Sequence, residues 1–268
     1  MTSLDTKTLH RLAKNGIPKE EFELRFGNDL ALEMARAQGM NLILDGDNYR
    51  FRTAITPVEQ TLFCIVDVET NGSKIAHHQI IEIGAVKFQN GKILDTFESL
   101  VYCDNISDQI AEITGIHVEQ TLQAPQLSKV MSDFRLFLGD AVFVGHDAKF
   151  DYKFVSAMMD RVGLGVLLNR QLCTIDLAER TFESERYGLR YLNDLYDLYV
   201  DAVHHRALSD AITTTKLLEQ VLPMIPKNIH TTEELITFSK EATRMKRLKP
   251  IKEDKKEKNK EEAPLTVS

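Results

Sequence analysis

Two acidic residues lie at the predicted end of a buried strand. Residues 63–66 are apolar and rich in β-branched side chains, which predicts a buried strand, and Asn71-Gly72 predicts a turn after it. Asp67 and Glu69 are two residues apart, so their side chains project from the same face of that strand. Two neighbouring carboxylates repel each other, and a divalent cation between them removes the repulsion. The pair therefore indicates a metal site, although an isolated Asp-x-Glu more often marks a strand end that meets solvent.

A third acid follows a second predicted strand. Residues 140–145 are predicted to form that strand, and Asp147 stands where the following helix needs an N-cap. Asp151 then lies about one turn inside the helix, where the helix dipole favours its ionised form. A metal ligand must be ionised, but a lone acid in a first turn usually serves only the helix. His146 has no partner motif that makes it a ligand, and it is predicted to be structural.

A fourth acid and a histidine lie at the start of a later helix. Asp210 falls inside the helix predicted for residues 207–222, and His205 lies at or just before its first turn. The sequence after Asp210 predicts a largely buried helix, and a buried acid without a partner is costly. Asp210 is therefore predicted to share a site with other groups. His205, on the entering loop, can lean over the same site.

The elements that must position these residues form an α/β pattern. Three strands are predicted first, with a hairpin turn between the second and third, and helices alternate with two shorter strands after them. This order predicts an α/β domain with a mixed five-stranded sheet over residues 58–226. The strands are predicted at 63–67, 80–88, 92–103, 140–145 and 172–174, and the helices at 108–113, 126–138, 148–163, 176–183, 189–197 and 207–222.

The N-terminal sequence predicts a small separate module over residues 1–57. Three short helices precede a β-hairpin, an order that resembles a winged-helix fold. Winged-helix modules commonly bind DNA, but groove binding needs a basic face. The third helix carries Asp29 and Glu33 against Arg36, so a role in protein docking or packing is favoured.

The C-terminal segment, residues 227–268, begins with a capping box. Thr231 and Glu234 predict a helix that runs to about Arg247. Its thin apolar stripe is equally consistent with a helix folded back on the domain and with one that binds a partner. From Lys249 onward the sequence is rich in Lys and Glu, which predicts disorder.

Composition restricts the class of protein. Residues 58–226 carry 14 basic and 24 acidic side chains, which argues against a broad, sequence-independent grip on nucleic acid. No segment approaches the roughly 18 apolar residues of a membrane span. The start of the chain lacks the apolar core of a signal peptide, so a cytoplasmic location is predicted. Cys64, Cys103 and Cys173 are widely spaced and are predicted to be buried thiols.

Together, the four acids and the histidine resemble the site of the DEDDh family of 3′–5′ exonucleases, also called DnaQ-like. The resemblance covers about residues 60–222. One departure is Asp147, where many members have Asn, but both residues cap helices comparably well. The matching motifs, in the family's order and at typical intervals, are Asp67-x-Glu69-Thr70, Ile81-Glu82-Ile83-Gly84, Thr114-Gly115-Ile116, Gly145-His146-x-x-x-Phe150-Asp151 and His205-x-x-x-x-Asp210.

The resemblance implies a ribonuclease H-like fold and a two-metal site. Its ligands would be the four acids, Asp67, Glu69, Asp151 and Asp210, with two Mg²⁺ or Mn²⁺ ions, which prefer such oxygen ligands. The implied reaction is hydrolysis of the 3′-terminal phosphodiester, with His205 as the general base. By the same resemblance, Thr70 is expected near the terminal 3′-hydroxyl and Ile116 near the terminal base.

Three functions remain open at this stage. The first is a DNA exonuclease that resembles the proofreading subunit of a bacterial replicative polymerase, acting on a single-stranded or frayed 3′ end. The second is an RNA-directed member, such as an oligoribonuclease-like or transfer-RNA-trimming enzyme, since the motifs do not report contacts to the 2′-hydroxyl. The third is a catalytically silent docking protein. The extra module and the basic tail favour the first, and the intact set of five site residues argues against the third.

Overall fold

The computed structural model describes residues 5–27, 29–199 and 205–249. In chain order the strands are β1 (Ile17–Pro18), β2 (Leu42–Asp45), β3 (Asn48–Phe51), β4 (Phe63–Thr70), β5 (Ile80–Gln89), β6 (Lys92–Leu100), β7 (Val142–Gly145) and β8 (Gln171–Cys173). The α-helices are α1 (Thr6–Ala13), α2 (Lys19–Phe26), α3 (Asp29–Ala37), α4 (Asp108–Thr114), α5 (Val118–Thr121), α6 (Leu127–Leu138), α7 (Ala148–Arg161), α8 (Thr174–Thr181), α9 (Leu189–Tyr196), α10 (Ala207–Val221) and α11 (Thr232–Glu241).

Strands β4 to β8 form one mixed sheet with β4 in the middle. The spatial order is β6-β5-β4-β7-β8. β5 runs antiparallel to both β4 and β6, whereas β4, β7 and β8 run parallel to one another. The predicted α/β architecture with a mixed five-stranded sheet is confirmed. Among the described strands, β4 pairs with β7 only as far as Ile65, so its carboxyl end extends past β7 and stays paired with β5 alone.

Helices cover both faces of this sheet, which explains why β4 is apolar on both sides. On one face, buried residues of α6 and α7 pack against the sheet, among them Phe134 and Phe154. On the other face, α8, α10 and α11 contribute buried residues such as Leu177, Leu218 and Leu235. Strands buried on both faces are expected to be nearly continuous runs of apolar residues. This packing fixes the positions of α7 and α10 relative to the end of β4.

The N-terminal residues form a smaller sheet with its own apolar cluster. The sheet has the order β1-β3-β2, and the hairpin of β2 and β3 lies at the predicted place. Strand β1 was not predicted, because two residues are too short for a periodic pattern, and it forms through pairing of Ile17 with Tyr49. The assignment of this module as a winged helix stays a prediction.

A buried ion pair joins the N-terminal module to the rest of the chain. Glu233 in α11 accepts hydrogen bonds from the Thr53 hydroxyl (2.7 Å) and from the guanidinium of Arg170 (2.6 and 2.7 Å). The Arg170 guanidinium also lies over the Phe51 ring, 4.6 Å from its centroid. These contacts hold the module against β8 and α11.

The C-terminal helix folds back on the domain, but it is shorter than predicted. Leu235 and Ile236 of α11 are buried in the core under the sheet. The helix was predicted to reach about Arg247, and that prediction is wrong, because α11 ends at Glu241. The chain after it is not helical, and the N–H groups of Met245 and Leu248 bond to carbonyl oxygens outside the helix. The tail predicted from Lys249 onward lies, apart from Lys249 itself, outside the described residues.

Two remaining sequence predictions concern the cysteines and the membrane. All three cysteines are free, with Cys64 and Cys103 buried and Cys173 half-buried. Among the residues that the structure describes, no helix combines the length and apolar character that crossing a membrane requires.

Candidate active site

Strand β4, the central strand of the sheet, carries the first two acids near its carboxyl end. Asp67 pairs with Gly84 and Glu69 pairs with Glu82 on β5, and a register shift follows between Glu69 and Thr70. Because Asp67 and Glu69 are two residues apart on one strand, they project from the same face, as predicted. Both side chains are half-buried.

Helix α7 brings the third acid to this strand end. Asp151 is the fourth residue of α7 and is only 4 % exposed. The close approach is possible because Gly145 has no side chain: a Cβ there would lie 3.0 Å from Oδ2 of Asp151. Asp147 occupies the predicted N-cap position, but its side chain makes no capping hydrogen bond. Its left-handed backbone (φ 76°) replaces the extended conformation that side-chain capping normally needs.

Helix α10 brings the fourth acid and the histidine. Asp210 is 8 % exposed, and its Oδ2 accepts a hydrogen bond from the backbone N–H of His205 at 3.0 Å. His205 is exposed and adopts a left-handed backbone conformation (φ 63°), which is uncommon for a residue with a side chain. The loop that enters α10 is therefore bent back onto Asp210, and this places the imidazole at the site.

A buried carboxylate fixes the start of α10. Glu82 on β5 is fully buried, and it accepts hydrogen bonds from the Arg206 guanidinium (2.7 and 3.0 Å) and from the N–H of Ala207 (2.9 Å). A charge-assisted bond to a helix N-terminus is favourable because the helix dipole is positive there. Glu82 was noted in the sequence as part of a motif, but its contact with a segment more than 120 residues away was not predicted.

The start of α10 also lies directly against Gly84. A Cβ at Gly84 would be 2.1 Å from the backbone nitrogen of Leu208. We expect Gly84→Ala to displace the start of α10, with a loss of about 1–3 kcal/mol of stability from overpacking. Activity should fall about 100-fold, since displacing a catalytic group by about 1 Å costs that much.

Thermal melting and single-turnover kinetics measure both effects of Gly84→Ala. Gly188→Ala, where a Cβ meets open space, is the control for melting. A Gly84→Ala variant with unchanged activity would contradict the placement of α10.

These elements gather the predicted residues at one place. The ligand atoms of Glu69, His205 and Asp210 all lie within 4.8 Å of one another. Burial raises the pKa of Asp67 well above its ordinary value, and the charges of Asp151, Asp210 and Glu69 raise it further. The structure thus brings together all five residues that the sequence analysis singled out.

The same electrostatics act on the other acids. Burial and the charges of Asp210 and Glu82 raise the pKa of Glu69 to about 8. Burial also raises the pKa of Asp151, as do the charges of Asp147 and Glu69, while the backbone N–H of Val68 lowers it. Four carboxylates at such close range are unfavourable without positive charge.

The donor set fits hard divalent cations. Carboxylate oxygens, with no cysteine among the gathered groups, are the ligands that Mg²⁺ and Mn²⁺ prefer. The raised pKa values fit the same conclusion, because a bound cation stabilises the ionised form that the protein alone disfavours.

The direction of these shifts predicts how stability depends on pH. The unfolded acids ionise near pH 4, but in the folded protein Glu69 keeps its proton up to about pH 8. Between these values the folded state binds more protons, so the stability contributed by these groups falls as pH rises. Cation binding requires the ionised acids and releases protons. We therefore expect Mg²⁺ to raise the melting temperature by several degrees more at pH 8 than at pH 6, with ionic strength matched by NaCl. Equal gains at the two pH values would contradict this electrostatic description.

Three other residues named in the sequence analysis can also be located in the structure. Thr70 ends β4 and is 9 % exposed. Ile116 is 1 % exposed and packs with Ile81 and Cys103, so it can support a base only through the residues that cover it. His146 is structural, as predicted: its Nε2 donates to the Tyr187 carbonyl (2.7 Å), and its Nδ1 lies 2.9 Å from the Thr174 hydroxyl.

A cleft opens beside the cluster, and its basic residues were missed by the sequence analysis. The cleft has a volume of about 560 Å³, and Arg186, Arg190 and Tyr191 line it together with His205 and Asp210. Both arginines are exposed. The signal in the sequence is two arginines at the start of a helix, which is too common to identify a binding surface. Only the fold shows that they border the acids.

Comparisons with known proteins agree with this site. Residues 64–218 match the family model described as exonuclease (RNase_T). The chain is 34% identical over 180 residues to DNA polymerase III PolC-type of Halalkalibacterium halodurans, and 30% identical over 217 residues to the protein of that name from Staphylococcus saprophyticus. These matches cover 66% and 80% of this chain but only 12% and 15% of the relatives' length.

Solved structures share the fold. Exonuclease X in complex with 5′ overhanging duplex DNA superposes with a TM-score of 0.52 at 27% identity, covering 66% of this chain and 99% of that one. The zinc-bound complex of E. coli exonuclease I with single-stranded DNA gives a TM-score of 0.56 at 15% identity, covering 63% and 42% of the two chains, and shows a common fold alone. Since the family model matches more than half of the chain and its motifs meet at one site, the chain belongs to the DEDDh, DnaQ-like exonuclease family.

Proposed function

We propose that this protein is a metal-dependent 3′–5′ exonuclease that hydrolyses the 3′-terminal phosphodiester of DNA and releases nucleoside 5′-monophosphates. The observation that carries the proposal is the meeting of Asp67, Glu69, Asp151, Asp210 and His205 at the carboxyl end of the central strand. Separate segments, spread over more than 140 positions, supply these residues. A structural role alone does not account for four acids that repel one another in a folded core.

Each residue has a role in this proposal. The four acids would hold two Mg²⁺ or Mn²⁺ ions, which would supply charge stabilisation to the oxygens of an in-line displacement. His205 takes a proton from the attacking water, and the bond from its backbone N–H to Asp210 keeps it in position. The water oxygen bonds to phosphorus as the bond between phosphorus and the 3′-oxygen breaks, and a proton from solvent completes the new 3′-hydroxyl on the shortened strand. Thr70 contacts the terminal 3′-hydroxyl, and Ile116 supports the wall beside the terminal base.

The relatives favour DNA as the substrate, and two arginines of the cleft favour a nucleic acid of either kind. The relatives with 30–34% identity are PolC-type DNA polymerase III proteins, and Exonuclease X is solved with duplex DNA. The exposed Arg186 and Arg190 offer the phosphate backbone positive charge in an otherwise acidic domain. We propose that the protein proofreads in DNA replication, in the cytoplasm, as part of an assembly with a replicative polymerase subunit.

Digestion of matched oligonucleotides tests the proposal. The substrates are single-stranded DNA and RNA 20-mers of one sequence, labelled at either end, with Mg²⁺ or with a chelator. We expect 5′-labelled DNA to shorten step by step, 3′-labelled DNA to release a mononucleotide at once, and the chelator to stop both. Strong preference for RNA would replace DNA as the substrate. Activity on neither polymer would favour a silent docking protein, and shortening from the 5′ end would contradict the polarity.

A further inference from the structure

Residues 244–249, which follow α11, are not helical, although the sequence predicts a helix to about Arg247. We call this segment the strap, and four of its six side chains are basic. The strap has no regular secondary structure and is held by two backbone bonds, from Met245 N–H to the Glu179 carbonyl (2.7 Å) and from Leu248 N–H to the Ser184 carbonyl (3.1 Å). Upstream of it, the Arg180 guanidinium bonds to the carbonyls of Lys240 and Ala242, where α11 ends.

Two of its four cations are used to dock the strap. Arg244 pairs with Glu179 (3.0 Å) and Asp176 (3.5 Å). Arg247 also pairs with Glu179 (2.7 Å), and its guanidinium lies 5.6 Å from the centroid of the Tyr187 ring. Since Glu179 is nearly buried, these pairs anchor the strap to a rigid part of α8.

The other two cations are exposed to solvent. Lys246 and Lys249 make no ion pair with any residue in the described part of the chain, and both are exposed. An exposed lysine is usually a solvated surface group. Here each follows an anchored residue, Met245 and Leu248 respectively, so the main chain at both lysines is kept next to the domain.

Direct contacts connect the strap to the segment that carries one lining residue of the cleft. Leu248 bonds to Ser184, and Arg247 packs on Tyr187. Between these two positions in the sequence lies Arg186, which lines the cleft beside His205 and Asp210. The surface here is of mixed charge, since Glu183 and Glu185 precede Arg186 and Asp194 also lines the cleft. Within the described residues, Lys246 and Lys249 are the strap cations without an ion-pair partner, so they are the ones that a polyanion leaving the cleft on this side can bind.

We propose that the strap binds the phosphate backbone of the substrate strand several nucleotides upstream of the 3′ end, with Lys246 and Lys249 as the phosphate-binding residues. The inference rests on the proposed function, because it needs a polynucleotide whose end is in the cleft. Neither lysine lines the cleft, so the strap engages only strands long enough to extend beyond it. A trinucleotide occupies the cleft alone.

Binding of short and long oligonucleotides tests the proposal. The full chain with Asp67→Asn, which prevents hydrolysis, is compared with the same chain that also carries Lys246→Ala and Lys249→Ala. We expect the Kd for a 20-residue oligothymidylate to rise roughly tenfold and the slope of log K against log salt to fall by about 1.4, which is the loss of two phosphate contacts. The Kd for a trithymidylate should not change.

The matched control replaces two lysines at the opposite end of the fold. Lys92 lies at the β5–β6 turn and Lys227 lies beyond the far end of α10, so Lys92→Ala and Lys227→Ala should leave both Kd values unchanged. Equal binding of the 20-mer by strap variant and parent overturns the proposal. An equal loss of affinity for the 20-mer and for the trithymidylate also overturns the proposal, since it would mean a damaged cleft. Poly-glutamate is a third probe: a strap variant that loses affinity for poly-glutamate but not for the 20-mer overturns the proposal too, since it would indicate an acidic protein partner. If the wild-type chain degrades DNA in any of these cases, only the strap proposal fails. If it neither degrades nor binds DNA, the proposed function fails with it.

Discussion

Replacing Asp67 with asparagine is expected to abolish hydrolysis while making the metal-free protein more stable. Asp67 belongs to the same charge cluster: burial raises its pKa, and the charges of Asp151, Asp210 and Glu69 add to the effect. An amide of the same shape removes one metal ligand from the site. Since cations of this kind contribute several kcal/mol to transition-state stabilisation, kcat should fall by about 1,000-fold or more.

The stability change distinguishes this result from misfolding. Removing one of four mutually repelling acids relieves repulsion, so the melting temperature without metal should rise by a few degrees. Asp95→Asn, on the exposed edge strand β6, is the control and should change neither quantity. Loss of activity together with a lower melting temperature would mean that Asp67 is structural, and would contradict its role as a ligand.

Replacing His205 with alanine is expected to lower kcat about 100- to 10,000-fold, which is the usual contribution of a general base. The imidazole is exposed at the site, and its backbone N–H is bonded to Asp210. Because that bond uses the main chain, alanine preserves it, and Asp210 should keep its position. Mn²⁺ affinity, measured by calorimetry, should therefore change little.

The geometry offers a specific alternative for this histidine. Its ring lies within 4.8 Å of the carboxylate oxygens of Glu69 and Asp210, so it is also within reach of a shared cation. A metal affinity that falls together with kcat in His205→Ala would assign His205 as a ligand and contradict its role as a base. His10→Ala, in the last turn of α1, is the control for the loss of an exposed imidazole.

The sequence predicted the sheet because its strands and helices depend on local signals, and it predicted the cluster because its motifs resemble those of the DEDDh family. Asp67 and Glu69 end an apolar run, and Asp151 and Asp210 each lie one turn inside a periodic helix, so the types and positions of the elements could be inferred. The roles of Thr70 and Ile116 toward a substrate stay predictions.

Features that depend on contacts between distant segments were not predicted. α11 ends at Glu241, and the chain after it bonds to carbonyl acceptors at Glu179 and Ser184, which no periodic pattern reports. The clamp between Glu82 and Arg206 joins segments 124 residues apart. The arginines of the cleft are ordinary surface residues in the sequence, and only the fold places them beside the acids.

The most direct test is a crystal structure with Mn²⁺ and a nucleoside 5′-monophosphate, in which anomalous scattering locates the ions. We expect two Mn²⁺ ions about 3.5–4 Å apart, held by carboxylates of Asp67, Glu69, Asp151 and Asp210, with His205 outside the coordination shell. A single ion held by Glu69, His205 and Asp210, or no ion at the end of β4, would contradict the proposed two-metal site.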